Sequence, residues 1–160
     1  MSSDCLKLIR LASEKKVQIS VAESCTGGLL MARLTEIPGS SSVLDRGFLT
    51  YSNKSKIEML NVKETTLLKF GAVSLETAQE MAFGAYQNSS SSLSISITGV
   101  AGPGFSDNKP EGLVCFGWAG KNLVNNSEHV HFGQLGRKKV RGKAVEFGLC
   151  KLNFLLQNYY

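Results

Sequence analysis

The stretch Ala22-Glu23-Ser24-Cys25-Thr26-Gly27-Gly28 has the residue types and spacing of a reactive centre. A strand-like run, with Val17, Ile19 and Val21 alternating with Gln18 and Ser20, hands over there to a helical stripe of Leu29, Leu30, Arg33 and Leu34. Ser24, Cys25 and Thr26 therefore fall beside free backbone N–H groups at the positive end of a helix. Gly27 and Gly28 permit close backbone approach, so the segment can cradle a phosphate or hold the oxyanion of a tetrahedral intermediate. Ser/Thr caps followed by paired glycines also occur for packing alone. The segment is neither a P-loop, since the lysine is missing, nor a GxSxG nucleophile elbow. A second glycine-rich loop, Thr98-Gly99-Val100-Ala101-Gly102-Pro103-Gly104, follows the alternating strand Leu93, Ile95 and Ile97.

A serine nucleophile needs a base. His129 and His131 are the two histidines, and their spacing on a strand points both the same way. No third ligand with suitable spacing accompanies them, so a metal site is not expected. That leaves a lysine or tyrosine. Tyr51 closes one expected strand and Lys56 opens the next helix, so both can reach one pocket. Desolvation in a closed site lowers a lysine pKa enough for the amine to accept a serine proton. Cys25, beside Ser24 at the same helix end, is the rival nucleophile.

These residues need a scaffold to hold them. The chain has 160 residues, 42% hydrophobic and 19% charged, which fits a single domain over 1–160. A first helix begins at Asp4 and carries Cys5, Leu8, Ile9 and Ala12 on one stripe, ending near Lys15 and Lys16. The helix after Gly28 stops before Pro38-Gly39. A strand spans Val43 to Tyr51, a short helix starts at Asn53, and another ends at Phe70-Gly71. Ser74 caps a longer helix with Ala78, Met81, Ala82 and Ala85 on one face. Strands at Leu113 to Ala119 and Leu123 to Phe132 meet at a tight turn, Gly120-Lys121, before a final helix of about five turns carrying Val140, Ala144, Phe147, Leu152 and Leu155. Alternating helices and strands followed by a hairpin predict an α/β fold, a three-layer α/β/α sandwich with a mixed β-sheet. Ligands of such sheets bind beyond the carboxyl ends of the parallel strands, where the two loops fall.

The net charge is +5, but Arg137, Lys138, Lys139, Arg141 and Lys143 supply it from one short segment. The remaining basic and acidic residues balance. Such a cluster suits one small anion, such as a phosphate, at least as well as a polyanion, and a solvated helix face is the plain alternative, so nucleic acid is not an expected partner. No apolar run reaches the roughly 20 residues needed to span a bilayer, so no membrane partner is expected. Four cysteines without CxxC spacing, and no cationic-then-apolar leader, point to the cytoplasm. The sequons at Asn53, Asn88 and Asn125 are then accidental.

Taken in order, Ala22 to Gly28, Pro38-Gly39-Ser40-Ser41, Tyr51-Ser52-Asn53 with Lys56, Gly71-Ala72-Val73-Ser74, Thr98 to Pro103 and Lys109-Pro110-Glu111-Gly112 resemble the motif series of the CinA C-terminal domain family. The resemblance covers nearly the whole chain. It implies a nicotinamide mononucleotide deamidase, an amidohydrolase giving nicotinic acid mononucleotide and ammonia. By resemblance, Ser24 attacks the carboxamide carbon while Lys56, with Tyr51 beside it, shuttles the proton. Thr26, Gly27, Gly28, Ser41, Thr98 and Gly99 would line the substrate site, the backbone N–H groups near Thr26 and Gly27 serving the oxyanion. Arg137 and Arg141, one helical turn apart, match a family R-x-x-x-R pattern and would hold the phosphate. The implied partner is a small pyridine mononucleotide, with no metal and no cofactor. Phe105, where the family usually has a glycine, can stack on the pyridine ring. Self-association through exposed parts of the final helix and hairpin is the expected assembly. The other reading of the resemblance is a nucleotide-binding module, without turnover, linked to competence or DNA damage.

Overall fold

The computed structural model describes residues 3–160. Six helices and five strands follow one another as α1 (Ser3–Glu14), β1 (Ile19–Glu23), α2 (Leu29–Thr35), β2 (Leu44–Leu49), α3 (Asn53–Leu60), α4 (Glu64–Phe70), α5 (Leu75–Gln87), β3 (Leu93–Gly99), β4 (Leu113–Gly120), β5 (Asn126–His131) and α6 (Arg137–Tyr159). The sheet order is β2-β1-β3-β4-β5, with β2, β1 and β3 parallel and β4 and β5 antiparallel. Helices α1, α2 and α6 cover one face; α3, α4 and α5 cover the other. The three-layer sandwich expected from the sequence is the fold observed.

Alternation along β3 explains both faces. Leu93, Ile95 and Ile97 are fully buried in the larger apolar cluster, with Leu8 and Ala12 of α1 and Val140, Ala144 and Leu152 of α6. The intervening hydroxyls face α5 and bond its carbonyls. Ser94 Oγ donates to the Ala82 carbonyl at 2.7 Å and Ser96 Oγ to that of Ala78 at 2.5 Å. Helix and sheet can approach this closely because Gly117 presents only hydrogen; a Cβ there would strike the Ala78 carbonyl. Close packing thus replaces a layer of large side chains with small ones whose polar groups are satisfied internally.

Register decides where the loops emerge. Glu23 at the end of β1 lies beside Leu49 of β2 and Ile97 of β3. The ladder runs one step further, with Ser24 N–H donating to the Ile97 carbonyl and Thr50 N–H to that of Glu23, both at 2.9 Å. Ser24, Thr50 and Thr98 consequently lie side by side at the carboxyl ends of the parallel strands.

Three boundaries differ from the sequence reading. Strand β2 is shorter, running Leu44–Leu49, with Thr50 keeping a last ladder bond to Glu23. The hairpin turn is wider than Gly120-Lys121, since β5 starts at Asn126; Gly120 packs against the Tyr160 hydroxyl and the Ser92 carbonyl. Helix α6 runs 23 residues, more than the five turns its apolar stripe suggested, with Lys151 lying over the Trp118 ring at 4.6 Å and pairing with Glu128. Among the described residues, no helix is long and apolar enough to cross a membrane.

Candidate active site

The turn after β1 is shaped by the residue before the serine. Glu23 is buried, and its carboxylate accepts N–H bonds from Gly28 and Leu30 at 3.1 Å and from Met31 at 2.9 Å. It thereby caps α2 from outside the helix, where Gly28 at the N-cap has no side chain to do so. A carboxylate at a helix N-terminus also matches the macrodipole. Gly27 and Gly28 take φ of 63° and 91°, left-handed values that glycine adopts freely. The Gly27 N–H closes the turn onto the Ser24 carbonyl at 3.1 Å.

Lys56 arrives from the neighbouring strand's exit. Ser52 and Ser55 form a reciprocal capping box that starts α3, each backbone N–H reaching the other's hydroxyl at 3.1 Å. One turn in, Lys56 points back toward the sheet and is only 1% exposed. Its Nζ donates to Ser24 Oγ at 3.1 Å and to the Thr50 carbonyl at 2.9 Å. Neither partner is anionic, so burial dominates and pushes the lysine pKa down to about 8. Burial acts in the opposite sense on Cys25, raising its thiol to about 12. Burial thus eases deprotonation of the amine and opposes that of the thiol.

Both side chains open onto a cleft of about 250 Å³, whose far wall is the loop from Thr98 to Asp107. Thr98 and Gly99 line it; the Thr98 hydroxyl donates to the Ala72 carbonyl at 2.8 Å. Phe105, 69% exposed, stands at the mouth. Arg137 also lines the cleft, donating to the Gly102 carbonyl at 3.1 Å and to the Tyr51 hydroxyl at 2.9 Å.

Several expected site residues sit elsewhere. Ser41 lies in the short turn before β2, at the amino end of the strands; β1 separates it from Ser24 by roughly 15 Å at 3.3 Å per residue. The resemblance implies a place for it near the serine, but the parallel register puts it at the opposite end of the sheet. Tyr51 does line the cleft, but it is 62% exposed and its hydroxyl accepts from Arg137 rather than meeting Ser24 or Lys56. Thr26 is buried behind the turn, and the Gly27 and Gly28 amides are taken by Ser24 and Glu23, which removes Gly27 as an oxyanion donor. Arg141 leaves its helix neighbour and donates to the Cys25 carbonyl at 3.1 Å and the Thr26 carbonyl at 2.9 Å. His129 and His131 are on the edge strand β5. Among the described residues, no group of three His, Cys, Asp or Glu side chains could hold a metal ion.

Two residues named only as part of a motif prove to build the cleft. Glu111 is buried, accepting from the Gly104 amide at 3.0 Å and the Gly136 amide at 2.8 Å, so it ties the far wall to the start of α6. Lys109 donates to the carbonyls of Phe70 and Val73, fastening the same loop to the α4–α5 connection. Their partners are backbone groups, which carry no side-chain signal in the sequence.

Residues 4–156 match the model of the CinA C-terminal domain. The chain belongs to the CinA C-terminal domain family. A putative competence-damage inducible protein of Caldicellulosiruptor saccharolyticus is 44% identical over 153 residues, covering 95% of this chain and 37% of that protein. One of Caldicellulosiruptor bescii is 50% identical over 140 residues, covering 86% of this chain and 34% of that one. This CinA domain therefore spans about a third of the length of the curated relatives it matches. Among solved structures, the competence/damage inducible protein CihA of Agrobacterium tumefaciens superposes with a TM-score of 0.89 at 40% identity, covering 99% of this chain and 98% of that one. The competence damage-inducible protein A of Klebsiella pneumoniae superposes with a TM-score of 0.93 at 30% identity, covering 98% and 97%.

Proposed function

We propose that this CinA domain is a serine–lysine amidohydrolase that converts nicotinamide mononucleotide to nicotinic acid mononucleotide and ammonia. The observation that carries this reading is the 3.1 Å contact between buried Lys56 Nζ and Ser24 Oγ at the floor of the cleft. In its neutral form Lys56 accepts the hydroxyl proton as Ser24 Oγ attacks the carboxamide carbon. The pyridinium ring withdraws electrons and lowers the barrier to that attack. Negative charge gathers on the former carbonyl oxygen, which calls for a backbone N–H donor from the turn after β1. As the tetrahedral intermediate collapses, the C–N bond breaks and Lys56 returns the proton to departing ammonia. Water activated by the same amine then hydrolyses the serine ester, releasing the carboxylate and regenerating Ser24.

Arg137 at the rim holds the phosphate through its guanidinium, which the Tyr51 hydroxyl and the Gly102 carbonyl keep in line with the cleft. Phe105 stands where a ring entering the mouth can stack on it.

Purified protein incubated with nicotinamide mononucleotide should release ammonia, and Ser24→Ala and Lys56→Met should each lower the rate by at least about 10³. Saturable binding of the mononucleotide with no ammonia from the unmutated protein overturns hydrolysis in favour of a nucleotide-binding module.

A further inference from the structure

Arg137 and Arg141 share a helix face, yet their side chains part. Arg137 lines the cleft; Arg141 turns under the loop that carries the nucleophile and grips two successive carbonyls, those of Cys25 and Thr26. Gly27 makes the room: a Cβ there would sit 3.2 Å from the Arg141 guanidinium, and the residue's φ of 63° favours glycine besides. On the other side, Glu23 collects the N–H groups of Gly28, Leu30 and Met31. The segment from Ser24 to Met31 is thus held at both poles, its amides by a buried carboxylate and its carbonyls by a guanidinium.

The Cys25 and Thr26 carbonyls belong to the turn that presents the Ser24 hydroxyl to Lys56, so the Arg141 grip fixes that turn against α6. We infer that Arg141 is a positioning residue that holds the nucleophile turn in register with Lys56, not a phosphate ligand. The inference rests on the deamidase reading and divides the arginine pair: one contacts substrate at the rim, the other holds the backbone that carries Ser24.

The two roles separate kinetically. Nicotinamide mononucleotide and its unphosphorylated riboside are compared with the unmutated protein, Arg141→Ala, Arg141→Lys and Arg137→Ala, each checked by thermal melting. A positioning role predicts that Arg141→Ala lowers kcat by about 30- to 100-fold on both substrates, the scale of a misplaced nucleophile, with KM moving less than about threefold. Arg141→Lys should recover only part of that loss, because an ammonium cannot fork across two carbonyls. Millimolar guanidinium should restore rate to Arg141→Ala. Arg137→Ala should instead raise KM for the mononucleotide. A rise in KM confined to the mononucleotide in Arg141→Ala, with kcat kept, overturns the inference and makes Arg141 a phosphate ligand. If the unmutated protein releases no ammonia, the deamidase reading fails by itself, and amide exchange decides the clamp. Faster exchange across 24–31 in Arg141→Ala at an unchanged melting temperature supports it, and unchanged exchange overturns it.

Discussion

Lys56 Nζ donates to Ser24 Oγ at 3.1 Å from the interior of the protein, with the Thr50 carbonyl as its other partner. Burial without a counter-ion holds its pKa near 8, against about 10.4 for a free lysine. Only the neutral amine can take the serine proton. Consequently kcat/KM should rise about tenfold per pH unit below about 8 and level off above it. Initial rates of ammonia release from pH 6 to 10 check this, and a profile flat between 6 and 8 removes Lys56 as the base.

The same displacement has a consequence for stability. Between about pH 8 and 10.4 the unfolded chain binds a proton at Lys56 that the folded chain does not, so this group's contribution to stability rises with pH through that window. Below about 8 both states are protonated and the cost of burying the ammonium is fully present. Lys56→Met should therefore melt higher than the parent at pH 7, by about 2–5 °C, while losing activity, and the gap should close as pH approaches 10. Melting curves at pH 7 and 10 measure it.

Cys25 sits beside the nucleophile with its thiol raised to about 12 by burial. At pH 8 only about one molecule in 10⁴ carries the thiolate there, too few for a nucleophile or for ready alkylation. Cys25→Ala should keep kcat/KM within about threefold and cost about 1 kcal/mol of stability through lost packing. Iodoacetamide should label exposed Cys150 and leave Cys25 untouched in the folded protein. Loss of deamidation in Cys25→Ala at unchanged fold revives the cysteine route.

What the sequence made legible follows from the kind of signal involved. Period-two alternation at Leu93, Ile95 and Ile97, and glycines at 27, 28, 102 and 104, announced β3 and the two loops at the strand ends. The meeting of Ser24 with Lys56 needed only the rule that parallel strands end together. Ser41 was misplaced because a motif fixes order along the chain, while parallel register fixes which end of the sheet a residue reaches. Helical spacing put Arg137 and Arg141 on one face, but where each guanidinium lands depends on which carbonyls its neighbours leave exposed. Glu23 and Glu111 bind backbone amides, so no partner residue type betrays them.

Glu111 locks the cleft wall, and Gly102 is the glycine that lets it. Gly102 has φ of 91°, and a Cβ there would overlap the Glu111 carboxyl. Gly102→Ala should displace that carboxylate from the Gly104 and Gly136 amides, losing about 2 kcal/mol, or roughly 4–8 °C in Tm. Because the Gly102 carbonyl also holds Arg137, KM for the mononucleotide should rise at least about tenfold. Glu111→Gln, which puts an amide NH₂ against one of two N–H donors, should move KM in the same direction by less. Unchanged KM in both variants shows that the wall does not depend on this carboxylate.

Tyr51 precedes the lysine by five residues in the chain and lines the same cleft, yet its hydroxyl bonds Arg137 at the rim. If the phenol serves there, its task is to hold the guanidinium in line with the cleft, and no proton need pass through it. Tyr51→Phe removes the hydroxyl and keeps the ring. It should raise KM for the mononucleotide about three- to tenfold, leave kcat within about threefold, and keep the pH profile set by Lys56. A relay through Tyr51 predicts the opposite split, with kcat falling by about 10² or more and KM unmoved, because a missing proton carrier slows chemistry rather than binding. The kcat and KM of this one variant, measured across the pH range used for Lys56, therefore decide whether the tyrosine touches the reacting atoms or only the arginine that greets the substrate.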